Sequence, residues 1–280
     1  MNEAATEATT MRTDAPDHRR EAWATLQAVR DSGPLVHSVT NLVVTNLTAN
    51  VLLALGASPA MVENIEEAGE LAAAAGALVI NLGSMSAART EAMHAAALAA
   101  DRAGTPWVLD PVAVGALSYR TGVARELLAH RPTAIRGNAS EIASLAGGDG
   151  GGKGVDSTLD SGAVLDAARR LARDTGAVVA VTGRIDRVTD GDRTLAVENG
   201  HVLQTRVTGM GCSATAVIAA CLAVSGPARL AATAYALALF GFSAERAARG
   251  AEGPASFQAG LIDSLYGLTE AQVLAGVRIR

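Results

Sequence analysis

Residues 77–110 read ALVINLGSMSAARTEAMHAAALAADRAGTPWVLD. Residues 77–82 form a run too apolar to leave a face to water, residues 87–102 are alanine-rich and of helical length, and residues 106–109 are apolar again. Strands buried on both faces and separated by helices predict a parallel sheet, because a parallel partner needs a crossover long enough to hold a helix. The alternation continues in both directions. Upstream, Trp23, Leu26 and Val29 recur at helical spacing within 16–32, Gly33-Pro34 stops them, and Leu35–Val39 is extended. Residues 41–55 then carry Leu42, Leu47, Val51, Leu52 and Leu55 ahead of Gly56, a helix stop. Downstream, helices are predicted at 122–130, from 139, and at 161–175, with strands at 133–136 and 177–181.

After Thr182 the runs shorten. Residues 187–190, Thr194–Val197 and 201–203 are divided by Gly191-Asp192 and Asn199-Gly200, which signal hairpin turns, and alanine-rich helices fill 212–248. The fold class expected is α/β, a mostly parallel central sheet with helices on both faces and an antiparallel edge. Residues 1–15 are polar and unpatterned and predict a flexible N-terminal tail; residues 16–280 show no linker or repeat and predict a single domain.

Composition narrows the partners. Of 280 residues 49% are hydrophobic and 18% charged, with a net charge of −5. An acid excess gives no electrostatic reason to approach nucleic acid or an anionic membrane. An aromatic content of 3% argues against a base-stacking platform. The most apolar stretches, 214–224 and 231–242, are each shorter than the roughly 18 residues of a membrane span, and nothing resembles a secretory signal, so a cytoplasmic location is expected. Cys212 and Cys221 cannot form a disulfide framework or a zinc site by themselves.

Two glycine-rich segments differ in promise. Gly147-x4-Gly152-Lys153 nearly matches a phosphate loop, but Gly154 replaces the hydroxyl residue and a helix precedes it, so 147–154 reads as a surface loop. Thr208-Gly209-Met210-Gly211-Cys212 instead opens a long helix. There backbone amides and the helix dipole can receive an anion, an anion hole of Gly209, Met210, Gly211 and Cys212; the alternative is an ordinary loop-to-helix junction. The dipole is expected to lower the Cys212 thiol pKa. Asp110 ends the strand 106–109, where open α/β sheets hold ligands, and is a metal or phosphate-side candidate, or else a turn acid before Pro111. Arg136 and Glu141 leave the next strand together, although Glu141 could simply stabilise its helix start. Thr182 offers a hydroxyl at another strand end. Of five histidines only His37, at the predicted strand 35–39, is well placed for a pocket. Carboxylates for magnesium, a cation and hydroxyl for phosphates and an amide-lined hole together are what phosphoryl transfer requires.

The motifs Val36-His37-Ser38-Val39-Thr40-Asn41, Gly56-Ala57-Ser58-Pro59-Ala60-Met61, Asp110-Pro111-Val112-Ala113-Val114-Gly115, Arg136-Gly137-Asn138-Ala139-Ser140-Glu141 and Val207-Thr208-Gly209-Met210-Gly211-Cys212 occur in this order. Together they resemble the hydroxyethylthiazole kinase family, the thiamine-salvage branch of the ribokinase-like superfamily, over about 36–241. The resemblance implies a ribokinase-like three-layer sandwich and ATP-dependent phosphorylation of the alcohol of 4-methyl-5-(2-hydroxyethyl)thiazole. It further implies that Met61 and Gly209 contact the thiazole with Asn41 nearby, Arg136 and Thr182 bind ATP phosphates, and Asp110 and Glu141 serve Mg2+. Cys212 then stands where most relatives in the superfamily carry an aspartate base. Homotrimers with sites at subunit contacts are implied as well. The alternatives are a kinase of another small alcohol, such as hydroxymethylpyrimidine, pyridoxal or a sugar, and a non-catalytic nucleotide-binding sensor. The N-terminal residues and 147–154 look longer than the family core needs, and Met210 fills a position often held by a smaller residue.

Overall fold

The computed structural model describes residues 17–147 and 164–280. The chain runs α1 (His18–Ser32), β1 (Leu35–Val39), α2 (Thr45–Leu55), β2 (Ser58–Ala60), α3 (Ile65–Ala74), β3 (Ala77–Asn81), α4 (Ala87–Ala103) and β4 (Trp107–Asp110). It continues through α5 (Ser118–Leu127), β5 (Ala134–Asn138), α6 (Ala139–Leu145), α7 (Leu165–Thr175), β6 (Val178–Thr182), β7 (Asp186–Thr189) and β8 (Thr194–Val197). The helices α8 (Met210–Ala223), α9 (Arg229–Ala248), α10 (Pro254–Tyr266) and α11 (Glu270–Gly276) complete it. The eight strands form one sheet in the order β2-β1-β3-β4-β5-β6-β7-β8. Pairings from β2 through β6 are parallel and the last two are antiparallel.

The period-2 alternation of each strand builds two cores. Ala77, Val79, Val108, Val178 and Ala180 face one layer, against α1, α2 and α8 to α10. Leu78, Ile80, Leu109, Val179 and Val181 face the other, against α3, α4 and α7. Helices therefore cover both faces. Helix α8 is largely apolar all round and is buried from Ser213 to Leu222. Among the described residues no helix is long and apolar enough to cross a membrane.

Several boundaries differ from the sequence expectation. The helix expected from residue 41 begins at Thr45, because the Asn41 side chain accepts the Val43 N–H and holds 41–44 in a turn. The helix expected at 122–130 starts at Ser118 and ends in a 3-10 turn, Leu128–His130. Residues 201–203 are no strand; they belong to the 3-10 turn Val202–Arg206, capped by His201. Strand β2 and helices α3, α10 and α11 were not anticipated. The tail 1–15, residues 148–154 of the glycine-rich segment and 161–163 of the expected helix lie outside the described residues.

Chain direction creates a crevice. From β1 the chain steps outward to β2, then returns to place β3 on the other side of β1, so the strand order reverses between β1 and β3. Helix α2 lies on one face and α3 on the other. The carboxyl ends of strands at such a reversal are where open α/β sheets leave room for ligands.

Candidate active site

Asn41 and Asn81 stand at that reversal. Asn81 closes β3, and its Nδ2 donates to Asp110 Oδ2 across β4 (2.7 Å) and to the Cys212 sulfur (3.2 Å). Its Oδ1 accepts from Asn41 Nδ2 (3.0 Å) and from the backbone N–H of Gly83 (3.0 Å). Asn41 Nδ2 also approaches the sulfur, at 3.5 Å. The late start of α2 is what frees the Asn41 amide for this network.

Asp110 is 1% exposed. Both hydrogen bonds its carboxylate accepts from the described residues, from Asn81 and from Thr215 Oγ1 (2.9 Å), end on Oδ2. Burial pushes its carboxyl up to about 6; Arg136 opposes the shift and Glu141 adds to it. Glu141 is likewise buried. Its Oε2 accepts the Asn138 N–H (2.9 Å) in a capping box at the start of α6, and its Oε1 accepts the Ala113 N–H (3.0 Å). Ala113 has φ 62, a left-handed backbone costing roughly 1–2 kcal/mol for a residue with a Cβ. The turn after β4 is thus strained and tied to the same carboxylate. The helix-stabilising role of Glu141 is realised, and it coexists with proximity to Asp110.

Arg136 lies on β5 beside Thr182 on β6, and Nη2 donates to Thr182 Oγ1 (2.7 Å). Its Nε is buried without a hydrogen-bond partner, and among the described residues it makes no ion pair. The guanidinium rests on the glycine loop: a Cβ on Gly211 would sit 2.5 Å from Nη1. Gly209, with φ 84, leads into α8, where a Cβ would meet Val44 at 2.7 Å. No side chain caps the start of α8, so its first amides are left for another acceptor. Asp186, missed in the sequence, accepts the Gly183 N–H (2.9 Å). Burial pushes its carboxyl up to about 7 against the opposing charge of Arg136.

Cys212 departs from expectation. Burial, then the Asp110 charge, push its thiol up to about 12, outweighing Arg136 and the two amide donors. The dipole-lowered pKa anticipated from its helix position is therefore absent: enclosure disfavours the thiolate more than a helix start favours it.

The structure brings Asn41, Asp110, Arg136, Glu141, Thr182 and Gly209–Cys212 together at the carboxyl end of the parallel strands. Met61 follows the edge strand β2 at that same end. The residues after it are tied to β1 and its end: His37 Nε2 donates to the Val62 carbonyl (2.7 Å), and Arg89 binds both Glu63 and the Thr40 carbonyl. His37 is fully buried and its pKa is lowered by that burial, so it braces the chain. Asn81, like Asp186, belongs to this cluster and was missed by sequence reasoning. An amide ending an otherwise apolar strand run was the available signal.

A family model for the hydroxyethylthiazole kinase family matches residues 26–271. A hydroxyethylthiazole kinase of Granulibacter bethesdensis is 56% identical over 256 residues, covering 89% of this chain and 93% of that protein. The solved hydroxyethylthiazole kinase of Pyrococcus horikoshii OT3 superposes with a TM-score of 0.86 at 41% identity, covering 93% of this chain and 98% of the other. A ribokinase-like superfamily protein of Enterococcus faecalis shares the fold, with a TM-score of 0.61 at 12% identity over 86% of this chain and 88% of its own. The chain belongs to the hydroxyethylthiazole kinase family, and its fold is the ribokinase-like three-layer sandwich.

Proposed function

We propose that this member of the hydroxyethylthiazole kinase family transfers the γ-phosphoryl group of ATP to the primary alcohol of 4-methyl-5-(2-hydroxyethyl)thiazole, giving the monophosphate and ADP in thiamine salvage. One observation carries the reading at this site. Arg136, a guanidinium without an ion-pair partner among the described residues, lies across Gly211 from the uncapped start of α8. A partly buried cation and free amides facing one space call for a polyanion.

In this reading Arg136 and Thr182 hold ATP phosphates, and the amides of Met210, Gly211 and Cys212 beyond Gly209 receive the migrating group. Asn41, Met61 and Gly209 line the thiazole side, with Cys212 beside the hydroxyl. Because phosphoryl transfer passes through a loose transition state, the alcohol loses its proton late, and positioning and charge stabilisation supply most of the acceleration. A neutral thiol has no place for that proton, which can pass to an oxygen of the transferred phosphoryl group, so Cys212 need only position the hydroxyl.

Asp110 and Glu141 suit a magnesium ion. They are buried neighbours whose charges oppose each other, Asp110 accepts its hydrogen bonds on one oxygen only, and Mg2+ favours one or two carboxylates together with substrate phosphates. When bound, the ion would neutralise phosphate charge developing in the transition state.

A cytoplasmic homotrimer is part of the same proposal. Leu42 and Val43, 66% and 70% exposed, adjoin Asn41 and suit cover by another copy. Light scattering should return three chain masses; a monomer mass would remove the trimer. The function itself is tested by offering the protein ATP and magnesium with the thiazole alcohol, hydroxymethylpyrimidine or pyridoxal and following ADP. ADP formed fastest with the thiazole alcohol is expected. Preference for another alcohol, or no turnover with any, overturns the reading.

A further inference from the structure

We infer that Asn81 is the positioning residue that fixes the Cys212 thiol beside Asp110, ready for the incoming alcohol. The role in turnover rests on the proposed function; the fixing of the thiol does not.

The Asn81 side chain is fully buried, and each end of its amide has two partners. A backbone N–H can only donate, so the bond from Gly83 N–H identifies the inward end as the oxygen. The NH2 end must then face Asp110 and Cys212. This polarity has consequences for the thiol. Its sulfur receives N–H groups from both Asn81 and Asn41, leaving its own hydrogen for the side those amides do not occupy. A thiol on a single rotatable bond is otherwise free to choose among staggered positions. Here two amides select one, and Asn81 refers it to the carboxylate. Thr215 donates to the same carboxylate oxygen from within α8, the helix whose first turn carries Cys212. The arrangement closes a loop through β1, β3, β4 and α8, so one amide sets the relative placement of groups on four elements. A buried network in which every hydrogen-bonding position of the Asn81 amide is filled specifies geometry.

Both cysteines are free, so a Cys221→Ala background isolates the Cys212 S–H stretching band in the infrared. Asn81→Asp keeps both acceptor bonds while removing both donors, and Asn81→Ala avoids a second carboxylate beside Asp110. In each, the S–H band should shift or broaden relative to the background protein. With the thiazole alcohol, kcat should fall by about thirtyfold or more while KM for ATP stays within about threefold, the signature of lost alignment with nucleotide binding intact. An unchanged band in both variants, or kcat within about threefold of the background, overturns the inference. If the background protein makes no ADP with the thiazole alcohol, the proposed function fails, while the infrared band, which needs no substrate, still decides whether Asn81 fixes the thiol.

Discussion

Cys212 shows how one residue's surroundings decide what its chemistry can be. With its thiol pushed up to about 12, only about one molecule in ten thousand carries the thiolate at pH 8. Iodoacetamide should therefore label Cys212 far more slowly in the folded protein than after denaturation; equal rates would show a thiolate the burial argument excludes. Cys212→Ala should lower kcat by roughly ten- to a hundredfold, at or below the usual contribution of a general acid–base group, with ATP binding retained. Cys212→Asp should keep activity, because the Asn41 and Asn81 amides that now meet sulfur are suited to a carboxylate oxygen. An inactive but folded Asp variant would count against any proton-accepting role at this position. Gly211 sets a second limit. A methyl there would press on Arg136 Nη1, so Gly211→Ala should raise KM for ATP by about tenfold or more, as the cation or the amides move off the phosphates. An unaltered KM would remove Arg136 from nucleotide binding.

At the scale of elements, what could be read in advance was periodicity. The runs around β1, β3, β4 and β6 and the glycine stops after α1 and α2 were legible because burial on two faces and left-handed helix ends restrict residue type. Strand β2 was not: three residues including Pro59 carry no period, and only an edge position tolerates that proline. Missing β2 hid the reversal of strand order between β1 and β3, and with it the reason for Asn81. The strand-end residues Asp110, Arg136 and Thr182 were legible because each closes a recognisable run. The brace behind Met61 was not, since Arg89 sits on α4 and meets Glu63 and the Thr40 carbonyl only in three dimensions. That brace holds the β1 and β2 ends that carry Asn41 and Met61, the proposed thiazole side. Arg89→Ala should raise KM for the thiazole alcohol by about three- to tenfold while leaving KM for ATP alone, and Arg89→Lys should rescue it poorly, because one ammonium cannot reproduce the two-pronged fork. Equal effects on both substrates would reduce Arg89 to general stability.

Across the whole molecule, the site is assembled at an expense in stability that pH can reveal. Asp110 titrates near 6 in the fold and near 3.8 when unfolded, so between those values the folded chain binds the extra proton. Stability must then fall as pH rises through that window, by on the order of 3 kcal/mol for this group if about 1.4 kcal/mol accompanies each pH unit of difference. Asp186, near 7 in the fold, pushes in the same direction over a wider range. The loss is complete above the folded value, where the proposed magnesium role needs Asp110 charged. Asp110→Asn should therefore be inactive yet melt several degrees above the parent at pH 8, with the advantage vanishing near pH 4, where the parent's carboxylate is already protonated. Magnesium should raise the parent's melting temperature more than the variant's, since the variant leaves the ion Glu141 alone. Thermal scans at the two pH values, with and without magnesium, test both statements. A variant no more stable than the parent at pH 8 would mean that Arg136 and the amide donors already compensate the buried charge, and Asp110 would then no longer be a carboxylate held in readiness for a cation.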